Sequence, residues 1–286
     1  MLPSYLSEDK LNYYIREALK EDIGYGDFSS LACIPENATA KFACRSKESA
    51  LLAGIDVAEE VLKSIDVDIK YTVLKKDGVR IEKGDIVLEA EGRMQSLLRA
   101  ERLLLNFIQR MSGIATITRQ YVDKVAHTKA KILDTRKTTP NFRAFEKWAV
   151  KIGGGENHRF GLFDLVMLKD NHVDLAGGIT NSIKTTKEYL DRRNLKLAIE
   201  VETRNLDEVK QAMEIGMIKR IMLDNMSIQD IKKAVKIIDG KYEIEASGGV
   251  TLKTVKEIAE AGVDYISVGA LTHSYQSIDL SFKTVK

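Results

Sequence analysis

The sequence predicts a two-domain α/β protein whose C-terminal part is an α/β barrel. Residues 25–95 carry short runs with the period of two, which indicates a small and mainly antiparallel sheet. From residue 130 onward, strand-like apolar runs alternate with helical runs, a pattern typical of parallel strands joined by crossover helices. Six or more such units favour a closed barrel over an open sheet.

The N-terminal part is expected to begin with a helix. Ser7 precedes two acidic residues, which favours a helix start, and apolar side chains recur with helical period until Gly24. Residues 40–44 and 67–73 have the period of strands, and glycine turns separate the shorter runs. One helix is expected near residues 55–63, so this part combines a sheet with few helices.

A long helical pattern starts at Ser96, and we expect Gly113 to interrupt it because glycine is a poor helix former. This interruption is the best candidate for a domain boundary. We therefore predict an N-terminal domain over residues 1–112 and a C-terminal barrel domain over residues 113–286.

The barrel pattern is regular. Strand-like runs are expected at residues 132–133, 165–168, 197–201, 220–223, 243–246 and 265–268. Helical runs fill most of the gaps, at residues 178–191, 206–215, 227–238 and 252–261. Polar or glycine-rich groups follow nearly every strand. Because the carboxyl ends of parallel barrel strands gather at one face, these groups are expected to form one site.

Composition excludes several classes of function. At 44% hydrophobic and 30% charged residues, the 286-residue chain has the composition of an ordinary soluble domain protein. A net charge of +2 gives no global reason to expect nucleic acid or a membrane surface as partner. The sequence shows neither a membrane span nor a signal-peptide pattern, so we expect a cytoplasmic protein. Both cysteines are expected to be reduced, with Cys44 buried in a strand.

Four cations follow the first two predicted barrel strands: Arg136, Lys137, Arg159 and Lys169. Arginine binds a carboxylate through two parallel hydrogen bonds, whereas lysine acts as a point charge. Like charges that converge require counter-anions, so the four cations predict a strongly anionic ligand. In contrast, Arg143, Lys147 and Lys151 fit one helical face and are expected to be surface charges, and Trp148 is expected in the core.

Two glycine turns follow the last strands, at Ser247-Gly248-Gly249 and at Gly269-Ala270. Glycine lets backbone N–H groups approach phosphate oxygens, and a helix that starts nearby contributes its positive end. The alternative is that both are ordinary tight βα turns. Their occurrence in adjacent units favours phosphate binding.

Glu202 and Asp224 end two neighbouring strands. Carboxylates that face a phosphate site usually bind sugar hydroxyls or a magnesium ion, and the alternative is that both are solvated strand-end acids. Glu200 lies one pleat deeper on the same side, and we expect it to be a buried partner of a lysine.

His158 and His172 lack the ligand spacing of a zinc site. A hydrogen-bond donor role is expected for His158, and His172 is expected to orient Lys169 or Asp170 or to be structural. The glycine run at residues 153–155 is interpreted as a tight connection that positions His158 and its neighbour Arg159.

The motifs DTRKTTP, GGGENHR, LKDNH, EASGG and SVGALTHS resemble those of the quinolinate phosphoribosyltransferases. The resemblance is collinear over nearly the whole chain, including DIGYGDFSS and AERLLLNFIQRMSGIAT. Two departures are Asn141, where glycine is common, and Trp148, where tyrosine is common. Neither falls on an expected ligand contact.

The resemblance implies an N-terminal open-faced α/β sandwich and an incomplete, TIM-like α/β barrel of the type II phosphoribosyltransferases. It also implies a homodimer, in which the N-terminal domain of one subunit covers the barrel mouth of the other. Arg102 would then reach the partner's site, whereas the residues alone predict an exposed helix charge.

The implied reaction joins quinolinate to phosphoribosyl pyrophosphate and yields nicotinate mononucleotide, pyrophosphate and CO2, with Mg2+ and without an organic cofactor. Catalytic roles are implied for Lys137, Lys169, Glu202 and Asp224, and the two acids would hold magnesium directly or indirectly. The implied substrate-binding set is Arg102, Thr135, Arg136, Lys137, His158, Arg159, Lys169, Glu202, Asp224, Ser247, Gly248, Gly249, Val268, Gly269 and Ala270.

Two alternatives stay open. A homologous transferase that acts on another ring acid, such as a relative encoded with molybdate-transport genes, would share the phosphate site but need fewer cations for carboxylates. A non-catalytic barrel that senses a sugar phosphate would have no catalytic use for Lys137, Glu202 and Asp224.

Overall fold

The structure is a computed structural model that describes residues 2–285, and these residues belong to two compact units. Within the described residues, the first comprises 2–119, 139–154 and 274–285, and the second comprises Gln120–Thr138 and Gly155–His273. The predicted boundary after residue 112 divides the sequence in another way and stays a prediction.

Twelve strands occur in the described chain: β1 Thr39–Ser46, β2 Ala50–Leu51, β3 Lys70–Val73, β4 Arg80–Ile81, β5 Ile86–Arg93, β6 Lys131–Leu133, β7 Val166–Leu168, β8 Ile199–Thr203, β9 Arg220–Asp224, β10 Glu243–Ser247, β11 Tyr265–Ser267 and β12 Leu280–Thr284. Eleven helices accompany them in the described chain: α1 Glu8–Ile23, α2 Phe28–Cys33, α3 Ile55–Ile65, α4 Met94–Val125, α5 Arg143–Ile152, α6 Asp170–Leu175, α7 Ile179–Arg192, α8 Leu206–Ile215, α9 Ile228–Ile238, α10 Val255–Glu260 and α11 Ala270–His273.

The first unit contains the predicted antiparallel sheet, in the order β12-β1-β5-β3. One side of the sheet is apolar and buried: Phe42 and Cys44 are at most 3% exposed. The opposite side carries exposed charges such as Lys41 and Glu91, which is the alternation expected of a half-covered sheet. Burial raises the pKa of the Cys44 thiol to about 12, and Cys33 and Cys44 are both free thiols, as predicted.

The predicted start of α1 is confirmed. The Ser7 side chain accepts a hydrogen bond from the backbone N–H of Lys10, and Gly24 ends the helix at a positive φ of 52°. The sequence did not predict strand β12. It pairs antiparallel with β1, from Phe42 opposite Thr284 to Ser46 opposite Leu280.

The expected interruption at Gly113 is wrong, because α4 runs through it from Met94 to Val125. A side chain at this position would place its Cβ 2.1 Å from the backbone oxygen of Gln276. Gly113 therefore permits close packing of the 274–286 segment on the helix within the first unit. Its helix-breaking tendency, about 1 kcal/mol relative to alanine, is outweighed by the contacts of a long helix.

The expectation that Lys147 is a surface charge is also wrong, because this side chain is fully buried. Residues 144–150 of α5 are all buried, so the helix has no solvent-facing side along this stretch. Trp148 is 5% exposed, which confirms its place in the core.

The second unit contains six parallel strands in the order β6-β11-β10-β9-β8-β7. The parallel pairing follows from alternating strands and helices, as predicted, whereas the described sheet ends at β6 and β7 and does not pair these two strands with each other. A parallel bridge between Leu133 and Glu156 extends the series beyond β6. Helices α8 and α9 begin at the capping side chains of Asn205 and Ser227, which fixes where the preceding loops turn back.

The described helices include none that is both long enough and apolar enough to pass through a membrane.

Candidate active site

A cavity of about 870 Å³ opens at the carboxyl ends of the parallel strands in the second unit. Most of the residues predicted from the sequence line it: Thr135, Arg136, Lys137, His158, Arg159, Lys169, Glu202, Asp224, Ser247, Gly248, Gly249, Gly269 and Ala270. The cavity also contains Asp170 and His273. The structure therefore brings together groups from every parallel strand of this unit, as strand order predicts.

Two arginines, Arg136 and Arg159, line the cavity. Burial and the nearby charge of Arg136 both lower the pKa of Arg159. Arg159 donates from Nη1 to the backbone oxygen of Leu165 at 3.2 Å, which orients the group. Two arginines that line one cavity favour a ligand with negative charge.

Asp134 holds the segment that carries His158 and Arg159. Its carboxylate is fully buried at the end of β6. It accepts hydrogen bonds from the Asn157 side chain at 2.6 Å and from the His158 backbone N–H at 2.9 Å. Asp134 therefore fixes the backbone beside the arginines and does not itself line the cavity.

Gly153 and Gly154 serve the connection that leads toward this segment. A Cβ at Gly153 would lie 2.6 Å from Thr118, and Gly154 has a φ of +90°. Both positions thus require glycine for packing and backbone geometry, which supports the interpretation of this run as a tight connection.

Lys169 and Glu202 form an ion pair across the cavity, with Nζ 3.0 Å from Oε2. The Glu202 side chain is 9% exposed and the Lys169 side chain is 47% exposed. His172 accepts a hydrogen bond on Nδ1 from the Lys169 backbone N–H at 3.0 Å, at the start of α6. The prediction that His172 orients Lys169 agrees with this contact.

Asp224 accepts a hydrogen bond from the Asn225 side chain at 2.7 Å. Asn225 has a positive φ of 52°, and its backbone N–H donates to the Ser247 oxygen at 2.9 Å. A Cβ at Gly248 would lie 2.2 Å from Asn225 Oδ1. The turns after β9 and β10 are thus packed against each other, and Gly248 is required for that packing.

The two glycine turns differ in the helix that follows. Helix α10 begins at Val255 and not near Thr251. The turn at Ser247–Gly249 can therefore offer an anion its own backbone N–H groups but not the start of a helix. Helix α11 begins directly at Ala270. A Cβ at Gly269 would lie 3.2 Å from Lys137 Cδ and 3.0 Å from His273 Nε2, so the missing side chain makes room for Lys137.

At the floor of the cavity lies a cluster that we call the buried charge network: His158, Glu200, Arg220 and Glu245. His158 and Glu245 also line the cavity, whereas Glu200 and Arg220 do not. Nε2 of His158 lies 3.2 Å from Oε2 of Glu200 and 3.2 Å from Oε2 of Glu245. Arg220 Nη1 lies 2.8 Å from Glu245 Oε2 and 3.8 Å from Glu200 Oε2. The expectation that Glu200 pairs with a lysine is therefore wrong, because its partners are His158 and Arg220.

Burial and charge act against each other in this network. Burial alone would lower the pKa of His158, but the two carboxylates outweigh it and raise this pKa to about 9. Burial, followed by the charge of Glu245, raises the pKa of Glu200. Burial also opposes ionisation of Glu245, but its bond to His158 holds the pKa of Glu245 below its ordinary value.

Sequence reasoning missed Glu245 and Arg220. The available signal was the period of two: Glu245 precedes Ser247 on β10 as Glu200 precedes Glu202 on β8. A charged residue inside an otherwise apolar strand of a parallel barrel needs a buried partner. Applied to β8, β9 and β10 together, this rule finds the network.

Two predicted residues do not line the cavity. Val268 is 1% exposed, and its backbone N–H donates to the Leu133 oxygen at 2.9 Å. Arg102 belongs to the first unit, where it is exposed on α4, so its role in a second subunit's site stays a prediction.

The described part of the chain contains one cluster of three potential metal ligands: His158, Glu200 and Glu245. Arg220 already supplies a positive charge there, 2.8 Å from Glu245, which disfavours a metal cation. Glu202 and Asp224 fit magnesium better, because Mg2+ is usually held by one or two carboxylates together with substrate phosphates.

Comparison with known proteins identifies the family of the chain. Residues 114–283 match the family model "Quinolinate phosphoribosyl transferase, C-terminal domain", and residues 27–112 match the model of the N-terminal domain. The chain is 45% identical over 296 residues to the chloroplastic nicotinate-nucleotide pyrophosphorylase [carboxylating] of Arabidopsis thaliana, covering 98% of this chain and 84% of that one.

Two further relatives agree. The corresponding protein of Oryza sativa subsp. japonica is 47% identical over 288 residues, covering 96% of this chain and 77% of that one. The crystal structure of NadC from Streptococcus pyogenes superposes with a TM-score of 0.92 at 38% identity, covering 98% of this chain and 99% of that one.

Proposed function

The chain belongs to the quinolinate phosphoribosyltransferase family, and from that premise we propose which residues perform each part of its reaction. The protein is an enzyme of NAD biosynthesis that transfers the phosphoribosyl group of phosphoribosyl pyrophosphate to quinolinate. The acceptor is decarboxylated, and the products are nicotinate mononucleotide, pyrophosphate and CO2. The observation that carries the proposed roles is the single cavity that contains the cations, two acids and two glycine turns.

We assign the quinolinate dianion to Arg136 and Arg159, with His158 and Lys169 beside them and Arg102 supplied by a second subunit. The two guanidinium groups are close enough to depress the pKa of Arg159, and a dicarboxylate would relieve that repulsion. Arginine is suited to this role because its planar group binds a carboxylate through two hydrogen bonds.

We assign the 5-phosphate of the donor to the turns at Ser247–Gly249 and Gly269–Ala270, with Thr135 and the Val268 backbone at the edge of the second turn. Backbone N–H groups there approach an anion without interference from side chains. The turns stand beside Asp224, whose carboxylate would meet the ribose hydroxyls of a donor bound in this way.

Magnesium belongs to this assignment. Glu202 and Asp224 would hold the ion directly or through water, and the ion would supply positive charge to stabilise a pyrophosphate leaving group. Lys169 also binds Glu202, through the ion pair at 3.0 Å. This carboxylate would therefore serve both the lysine and the magnesium ion. No organic cofactor is part of the proposal.

The reaction is expected to develop positive charge at the anomeric carbon as pyrophosphate departs. Lys137 and Lys169 are placed to neutralise the departing pyrophosphate, and Glu202 and Asp224 to face the positive ribose. Positioning and electrostatic stabilisation then supply most of the rate, without a covalent enzyme intermediate.

The proposed assembly is a homodimer in which Arg102 enters the partner's cavity, with no nucleic-acid or membrane partner. The cytoplasm remains our prediction for location. Relatives carry the words chloroplastic or mitochondrial in their names, so location differs within the family.

The assay for this function uses purified protein with quinolinate, phosphoribosyl pyrophosphate and magnesium. Release of CO2 and formation of nicotinate mononucleotide are expected. Turnover of another ring acid but not of quinolinate would favour the related transferase, and binding of the donor without turnover of any acid would favour a sensor.

The assigned carboxylate pocket is tested by Arg136→Ala. We expect quinolinate affinity to fall about a hundredfold, as for loss of a bidentate charged contact, while affinity for phosphoribosyl pyrophosphate stays close to wild type. Isothermal titration with each substrate measures both. Arg193→Ala, which removes an exposed arginine that stacks on Tyr189, is the control, and equal losses for both substrates would show that the pocket is misplaced.

A further inference from the structure

The buried charge network has no part in the roles assigned above, apart from His158. Its four side chains are almost entirely removed from solvent: Glu200 and Glu245 are 0% exposed, His158 is 5% exposed and Arg220 is 10% exposed. Strand pairing explains how three strands meet there, since Arg220 is in register with Glu200 on one side and with Glu243 on the other. Burial of so much charge is unfavourable unless the groups neutralise one another.

The network is built around His158. Oε2 of Glu245 accepts a hydrogen bond from Arg220 Nη1 at 2.8 Å and lies 3.2 Å from His158 Nε2. Oε2 of Glu200 lies 3.2 Å from the same imidazole nitrogen and 3.8 Å from Arg220 Nη1, at ion-pair rather than hydrogen-bond geometry. The imidazole therefore lies on one side of the two acids and the guanidinium on the other. Arg220 also stacks on the Tyr265 ring at 4.0 Å and binds Glu243 at 3.0 Å, so its position is fixed independently of His158.

Both ring nitrogens of His158 are occupied by protein groups. Nδ1 accepts a hydrogen bond from the backbone N–H of Arg159 at 2.7 Å, while Nε2 faces the acids. Its own backbone N–H is held by Asp134 at 2.9 Å. Because His158 is held at its backbone and at both ring nitrogens, it also fixes the backbone position of the next residue, Arg159.

We infer that Glu200, Arg220 and Glu245 are positioning residues for the quinolinate site, because they fix His158 and through it the Arg159 backbone. The inference rests on the proposed function, in which Arg159 binds the dicarboxylate. It adds to the role of His158 beside the ligand a second role as the anchor of Arg159. Without the two acids, Arg159 would keep its charge, but the backbone from which its side chain extends would be held less firmly.

A purely structural network would stabilise the barrel without affecting any one substrate. The deciding comparison is Glu245→Gln against Glu243→Gln. Both residues lie on β10 and both bind Arg220, but the described contacts join only Glu245 to His158. Glu243→Gln therefore removes only a partner of Arg220, whereas Glu245→Gln also removes the contact that holds His158.

Glu245→Gln is expected to raise KM for quinolinate about tenfold, the usual effect of losing one charged hydrogen bond. The affinity of Glu245→Gln for phosphoribosyl pyrophosphate should stay near wild type. The control variant Glu243→Gln should keep a thermal unfolding midpoint near that of wild type. Imidazole NMR signals of the four histidines should show a lower pKa for His158 in Glu245→Gln only. An altered His158 signal with unchanged quinolinate KM would overturn the inference.

Glu200→Gln repeats the test from the other carboxylate if Glu245→Gln does not fold. If neither folds, Glu245→Asp, which keeps the charge but shortens the side chain, takes their place: quinolinate KM should rise while affinity for phosphoribosyl pyrophosphate stays near wild type. An unchanged quinolinate KM would overturn the inference. Failure of wild-type enzyme to turn over quinolinate would instead contradict the proposed function and is recognised before any variant is made.

Discussion

Glu202 and Glu200 lie two residues apart on β8 and point to the same side, yet their surroundings differ. Glu202 opens into the cavity and shares Lys169, whose side chain is 47% exposed. Glu200 is fully buried and shares His158 and Arg220. One step of the pleat therefore separates a carboxylate available to a ligand from one available only to the protein, and residue type alone does not distinguish them.

The comparison separates a lower layer, which is the buried charge network, from an upper layer of cavity-facing groups such as Glu202. Removal of the arginine from the lower layer is expected to reduce stability. Arg220→Met would leave Glu200 and Glu245 facing each other with only His158 to neutralise them. We expect a loss of about 3–5 kcal/mol in the free energy of unfolding, typical of breaking a buried ion pair. Urea titration followed by circular dichroism measures it.

Arg204→Met is the matched control for this change. Arg204 also binds two acids, Asp174 and Glu208, but on the exposed surface, where ion pairs contribute little. A loss as large as that of Arg220→Met would show that burial does not distinguish the two arginines.

In the upper layer, Glu202→Gln should act on catalysis and leave stability nearly unchanged. If Glu202 faces the ribose and magnesium, kcat should fall about 10²–10³-fold, as when one electrostatic group of an active site is removed. Steady-state kinetics at several magnesium concentrations measure the loss, and Glu214→Gln on the exposed side of α8 is the control. A variant with wild-type kcat but a lower midpoint would reverse the comparison between the two layers.

Sequence patterns were sufficient for most of the second unit. Alternating strands and helices predicted its parallel sheet, and the strand ends predicted which side chains line the cavity. Those inferences succeed because both depend on local periodicity and on the fixed direction of parallel strands.

The errors arose where a residue's surroundings come from distant parts of the chain. Gly113 continues a helix because the Gln276 backbone packs against it, and Lys147 is buried because α5 is enclosed along residues 144–150. Glu200 was paired with the wrong kind of cation because Arg220 lies on another strand, and its partnership needs the register of β8 with β9. Such contacts are set by tertiary packing, which local patterns do not contain.

The last expected effect is a pH dependence of stability that belongs only to the lower layer. His158 is held among Glu200, Glu245 and, behind them, Arg220, with Asp134 on its backbone. Its pKa in the folded protein is raised from 6.5 to about 9. The stability that it contributes is therefore complete below pH 6.5 and is lost as the pH rises through about 9, by at most about 3 kcal/mol. Urea unfolding across this range should show a decline in wild type that is reduced in Glu245→Gln and retained in Glu243→Gln. An equal decline in all three proteins would assign it to other groups, and the two layers would then differ in burial but not in proton linkage.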